Sequence, residues 1–120
     1  MLFEDVTSKI LEASFEVSNE LGAGFLESVY EKALVIALQD KGLDVQTQVP
    51  LGVIFRKQPV GEFFADIIVN GEIILELKAV KALLPEHQAQ LINYLKATER
   101  KVGMLINFGN PKLEYRRLYG

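Results

Sequence analysis

Apolar residues along the chain change period part-way through. Val6, Ile10, Ala13, Val17 and Leu21 recur every three or four positions, the spacing of an amphipathic helix. Asp5 or Thr7 can cap its start, and Gly22-Ala23-Gly24 breaks it. Leu26, Val29, Ala33, Ile36 and Ala37 carry the same spacing through a second helix over 25–39, ended by Asp40-Lys41-Gly42. From residue 45 the pattern becomes strand-like. The segment 45–55 mixes β-branched residues with Pro50 and Gly52, which suits an edge strand. Segments 61–69 and 72–80 follow, with Asn70-Gly71 between them as a hairpin signal. A third helix is predicted over 83–97, with Pro85 in its first turn, then strands over 101–108 and 113–118. The order α-α-β-β-β-α-β-β is α+β or mixed α/β, not a repeated βαβ fold.

The third strand reads Ile73-Ile74-Leu75-Glu76-Leu77-Lys78-Ala79. Alternation puts Glu76 and Lys78 on one face and Ile73, Leu75, Leu77 and Ala79 on the other. A strand this apolar is expected at the centre of the sheet, where a carboxylate and an amine are costly unless paired with each other or with a metal. Whether Asp66 joins them depends on the hairpin register. A two-residue loop would put Asp66 opposite Leu75, on the wrong face. A three-residue loop, Val69-Asn70-Gly71, pairs Ile68 with Glu72 and brings Asp66 to the face of Glu76 and Lys78. It also groups Ala65, Ile67 and Val69 with the apolar face of the third strand, which favours that register. Two carboxylates with a backbone carbonyl, here that of Leu77, suit Mg²⁺ or Mn²⁺. The same short pattern fits a salt bridge between strand neighbours equally well.

Composition narrows the chemistry. The 120 residues fit one domain, 1–120, large enough for a core without staples. No cysteine is present, which excludes disulfides, thiolate metal sites and cysteine catalysis. A lone histidine, His87, excludes a multi-histidine metal site. Thirteen Lys+Arg against sixteen Asp+Glu gives a net charge of −3, so nucleic-acid binding would have to rest on a local patch. Basic residues are scattered, at Arg56-Lys57, Lys81, Lys96, Arg100-Lys101, Lys112 and Arg116-Arg117. The start of the chain is acidic and no apolar run is long enough to span a membrane, so a cytoplasmic protein with no membrane association is expected.

The hairpin from Phe64-Ala65-Asp66 through Asn70-Gly71 to Glu76-Leu77-Lys78 resembles the core of PD-(D/E)XK nucleases. Gly24-Phe25-Leu26-Glu27-Ser28-Val29-Tyr30 matches the signature of the GxxExxY proteins, a bacterial and archaeal family of that superfamily. Gln88 to Leu95 and Gly103 to Gly109 resemble its third-helix and following-strand motifs. Ala65 departs from the superfamily's proline. The resemblance implies an αβββαβ core behind an extra N-terminal helix, and metal-dependent hydrolysis of DNA or RNA. By position it makes Asp66 and Glu76 metal ligands, with the Leu77 carbonyl, and Lys78 the catalytic lysine. Glu27 becomes the helix carboxylate of the metal site, and Gln90 and Tyr94 a Q-x-x-x-Y element that contacts site or substrate. Read on its own, Glu27 simply favours a helix N-terminus, and Tyr30 either packs or orients Glu27. Asn107, in an apolar strand, needs a partner. The competing readings are a non-catalytic nucleic-acid or protein-binding module on the same fold, and a small homodimer. The tail Tyr115-Arg116-Arg117-Leu118-Tyr119 offers interface residues for the dimer.

Overall fold

The computed structural model describes residues 2–120. Helices α1 (Glu4–Leu21) and α2 (Glu27–Asp40) precede strands β1 (Val45–Phe55), β2 (Gln58–Val69) and β3 (Ile73–Lys78). Helix α3 (Pro85–Ala97) then leads to β4 (Val102–Asn107) and β5 (Glu114–Tyr119). The five strands lie in the order β1-β2-β3-β4-β5. Only β3 and β4 run parallel, because α3 crosses between them; the other neighbours are antiparallel. The mixed α+β class, the central β3 and the edge position of β1 agree with the sequence reading.

Each sheet face has its own apolar core. Ile67, Val69, Ile73, Leu75 and Leu77 meet Ile10, Val17, Leu34 and Leu38 of α1 and α2. Ile68, Ile74 and Leu105 meet Leu91 and Leu95 of α3. Strand alternation delivers both sets, so β4 and the first half of β3, Ile73 to Leu75, are enclosed on both sides.

Several boundaries differ from expectation. Helix α1 starts at Glu4 behind Phe3, with no side-chain cap from Asp5 or Thr7. Helix α2 starts at Glu27 rather than Phe25, because Gly22 and Gly24 at φ 73° and 113° carry the chain through the α1–α2 turn. Strand β2 begins at Gln58, lengthening the β1–β2 hairpin.

The β2–β3 register is corrected. Val69 pairs with Ile73, not Ile68 with Glu72. Asn70 and Gly71 both take positive φ, 54° and 70°, and the Glu72 N–H bonds the Val69 carbonyl, as in a two-residue type I′ turn. Glu72 is then an extra residue before pairing starts, which restores the parity of a three-residue loop. Asp66 is thereby brought beside Glu76, two positions away from the predicted alignment, and the two meet where the strand alternation breaks rather than on one face of a regular ladder. Ala65 does not join Ile67 and Val69; it packs in the α3-side core.

Candidate active site

The β2–β3 ladder ends at Ile67–Leu75, and side chains replace backbone where it opens. The Leu77 N–H donates to Asp66 Oδ2 at 2.8 Å, and the Asp66 N–H donates to Glu76 Oε1 at 3.4 Å. Each carboxyl group thus stands in for a backbone carbonyl, which is why two acids side by side are tolerated here. Asp66 is half-buried and Glu76 is buried, with 7% of its surface exposed. Burial first, then the Asp66 charge and a side-chain hydrogen bond with Asp66, push the Glu76 carboxyl up to about 9, against a lowering by the Asp66 N–H hydrogen bond and, less, by Lys78. The half-buried Lys78 sits two residues along β3 on the same face.

Asp66 also faces α2. A cleft of about 140 Å³ is lined by Glu27, Ser28 and Glu31 of α2, Gln48 of β1, Asp66 and Leu77. Glu27 is exposed in the first turn of the helix, at the rim of the cleft. Gln48 Nε2 donates to Glu31 Oε1 at 2.7 Å. Burial, then the charges of Asp66 and Glu27, hold the Glu31 carboxyl above its ordinary range; the Gln48 hydrogen bond and Lys32 oppose them. Gln48 itself has φ 48°, a left-handed backbone in the strand next to Asp66. Sequence reasoning missed Glu31 and Gln48. Glu31 was signalled by its place one turn after Glu27, on the same helix face; Gln48 carried no signal.

Tyr94 approaches from the opposite side of the sheet, on α3. Its ring stacks on Phe63 of β2, with centroids 3.7 Å apart and planes 14° apart. Burial, then the Glu76 and Asp66 charges, push its hydroxyl above the usual phenol range. Gln90 lies one turn earlier on α3, exposed and outside the cleft lining. The structure thus brings Asp66, Glu76, Leu77, Glu27 and Tyr94 towards one opening in the sheet, and leaves Gln90 apart.

Two polar residues have structural roles. The buried Tyr30 hydroxyl donates to the Gly22 carbonyl at 2.6 Å and accepts from the Phe25 N–H at 3.2 Å, and its ring stacks on Phe108. It ties down the turn that presents Glu27. Asn107 finds its partners in the N–H and carbonyl of Val80, the Gly109 N–H and Glu114 Oε1, so it pins the chain leaving β3.

This constellation sits on a chain whose residues 4–118 match the family model of the PD-(D/E)XK nuclease superfamily. The chain belongs to that superfamily. No curated protein matches it. Among solved structures, the crystal structure of SSO0001 superposes with a TM-score of 0.62 at 18% identity. The match covers 96% of this chain and 60% of that one, so this chain spans only part of the longer protein's length. At that identity the likeness speaks for the fold. It agrees with the α+β architecture, and no described helix is long and apolar enough to cross a membrane.

PD-(D/E)XK nucleases typically use divalent metals. The donor set fits a hard cation in part. Burial and the neighbouring Asp66 charge push the Glu76 carboxyl up to about 9, the direction expected where two carboxyl groups share a site with no cation between them. In a strand a residue's carbonyl points the same way as its N–H, so the Leu77 carbonyl points to the side where its N–H meets Asp66. Among the described residues, no three Asp, Glu or His side chains are close enough together to hold an ion. Protein ligands would thus number two carboxylates and a carbonyl, with water and substrate oxygens completing the shell, as is common for Mg²⁺.

Proposed function

We propose that this chain is a Mg²⁺- or Mn²⁺-dependent nuclease that hydrolyses phosphodiester bonds of DNA or RNA. The observation that carries this reading is the break in the β2–β3 ladder. There Asp66 and Glu76 stand side by side without a cationic partner in bonding contact, with Lys78 next on the same face. A surface salt bridge, the plain alternative for these residues, requires an ion pair; Glu76 is governed instead by burial and by Asp66.

Asp66, Glu76 and the Leu77 carbonyl would hold the cation, with Glu27 reaching in from the rim. When bound, it would supply a Lewis acid for the phosphate oxygens and lower the pKa of a coordinated water. Lys78 positions the attacking water and offsets negative charge developing on phosphorus oxygens. Tyr94, held by Phe63, orients the substrate or Lys78, and Gln90, exposed one turn earlier on α3, would meet only substrate that extends beyond the site. Glu31 and Gln48 set the far wall of the cleft and the charge that Asp66 feels.

The test is calorimetric titration of Mg²⁺ and Mn²⁺ into wild type, Asp66→Ala and Glu76→Gln, beside cleavage of single- and double-stranded DNA and RNA. Metal binding at pH 7.5 should release protons, because the one held by Glu76 is displaced. Binding should vanish in Asp66→Ala, and cleavage should fall by roughly 100-fold or more in Lys78→Ala with the fold retained. Absence of binding at millimolar metal would identify the non-catalytic module instead.

A further inference from the structure

The β1–β2 hairpin extends well past the body of the molecule. No residue from 52 to 62 belongs to either core. The strands pair only with each other there, Gly52 with Glu62, Val53 with Gly61, then Ile54 with Pro59 and Phe55 with Gln58 after a shift in register. A two-stranded ribbon without a core is of marginal stability alone. Its side chains are conspicuously apolar for solvent: Ile54, Phe55 and Val60 are 63%, 58% and 59% exposed, and Phe64 just below the ribbon is 53% exposed.

The charge on this arm is mainly positive, with Glu62 at its base, opposite Gly52, as its one acid. Residues 45–61 contain no acid, in a chain with sixteen, and their only charges are Arg56 and Lys57 at the tip. Both tip residues take left-handed backbone, φ 50° and 66°. Those are the central positions of a tight hairpin turn, where Asn-Gly is favoured. The β2–β3 hairpin of this same chain does use Asn70-Gly71, with φ 54° and 70°. At the arm tip the favoured turn pair is replaced by two cations held in an unfavourable conformation. The Arg56 guanidinium lies over the Phe55 ring, 5.0 Å from its centroid, so the aromatic ring and the cation form one unit.

We propose that the β1–β2 arm is a nucleic-acid grip that holds duplex substrate away from the Asp66–Glu76 site. Arg56 and Lys57 contact phosphates, and Phe55 and Ile54 lie against the sugars and base edges of a groove. The spacing supports this. Gln58 to Asp66 is eight steps along β2, roughly 26 Å at about 3.3 Å per residue. That is the rise of about eight nucleotides at roughly 3.4 Å each, so tip and site would reach the same duplex most of a helical turn apart. A second copy of this chain is the other occupant of an apolar ribbon. It explains the exposed side chains, but not the two cations placed at a turn that would fold better without them. The inference rests on the nuclease reading only for what happens after binding.

Arg56→Asn/Lys57→Gly tests it, because that pair suits the turn and removes both charges. Binding of a 20-base-pair DNA duplex and its RNA equivalent is followed by fluorescence anisotropy in EDTA, between 50 and 200 mM salt. The variant should melt no lower than wild type, bind more weakly, and lose about 2 from the slope of log affinity against log salt. Unchanged affinity and slope, a wild type that binds neither duplex, or a wild-type dimer that the variant dissociates would each overturn the proposal. Arm-dependent binding by a wild type that cleaves nothing with any metal would keep the grip and remove the nuclease. Cleavage by wild type with arm-independent binding would do the reverse.

Discussion

Glu76 carries a carboxyl group in the interior of a sheet, and its proton is the cheapest available compensation. The ordinary carboxyl value is 4.5, whereas burial and the Asp66 charge push Glu76 up to about 9. Above pH 4.5 the unfolded chain releases this proton while the folded chain keeps it, so the folded state loses ground as pH rises from there towards 9. A neutral isostere has no proton to lose. Glu76→Gln should therefore flatten the fall of stability between pH 5 and pH 9. At pH 8 it should be more stable than wild type by a few kcal/mol, since each unit of the rise is worth about 1.4 kcal/mol, read as a higher melting temperature in EDTA. Parallel pH profiles for the two proteins would mean that Glu76 ionises normally. At this scale the sequence was informative because an acid in an apolar strand is costly and so conspicuous. Glu31 was not conspicuous, since an acid on a helix has an ordinary solvated reading, and only the fold brings it to Asp66.

Among the elements, the α1–α2 turn and the β2–β3 hairpin position the acids, and they were legible to different depths. Asn70-Gly71 announced its turn because few other residues accept positive φ twice in succession. The extra Glu72 was not announced, since loops differing by two residues in register keep the same faces and the hydrophobic pattern cannot separate them. Gly24-x-x-Glu27-x-x-Tyr30 showed a helix start, but not that Tyr30 is buried and turned back on the glycine turn. That contact makes a prediction. Tyr30→Phe keeps the stack on Phe108 and loses hydrogen bonds to the Gly22 carbonyl and the Phe25 N–H. It should cost about 1–2 kcal/mol. The Phe25 amide should exchange hydrogen faster, while the amides of β3 and β4 keep their relative protection. An unchanged melting temperature with a protected Phe25 would show that the glycines hold the turn unaided.

Over the whole molecule, the sheet is a plate between unequal layers, two helices on one face and α3 alone on the other. The element order and the central β3 followed from alternation and from the switch of period. The depth at which α3 sits did not, because it is set by one contact across layers. Gly103 of β4 lies under Leu91. A Cβ there would stand 3.1 Å from Leu91 Cδ1, 3.2 Å from Cδ2, and 3.2 Å from the Ile74 carbonyl oxygen. Those distances are tighter than ordinary packing, so Gly103→Ala must push the helix outward or shift the sheet, at about 1–3 kcal/mol. Leu91→Ala alone should cost about 2–5 kcal/mol, since the side chain is fully buried. Together the substitutions should cost less than their sum by at least about 0.5 kcal/mol, because the shortened side chain leaves room for the added methyl. Denaturant unfolding of both single variants and the double variant measures this. Strict additivity would mean that α3 does not rest on Gly103. The coupling also reaches the site: Tyr94 is one turn beyond Leu91 on α3 and stacks on Phe63 of β2. Raising the helix should therefore loosen that stack, whereas a helix that rests elsewhere would leave it in place.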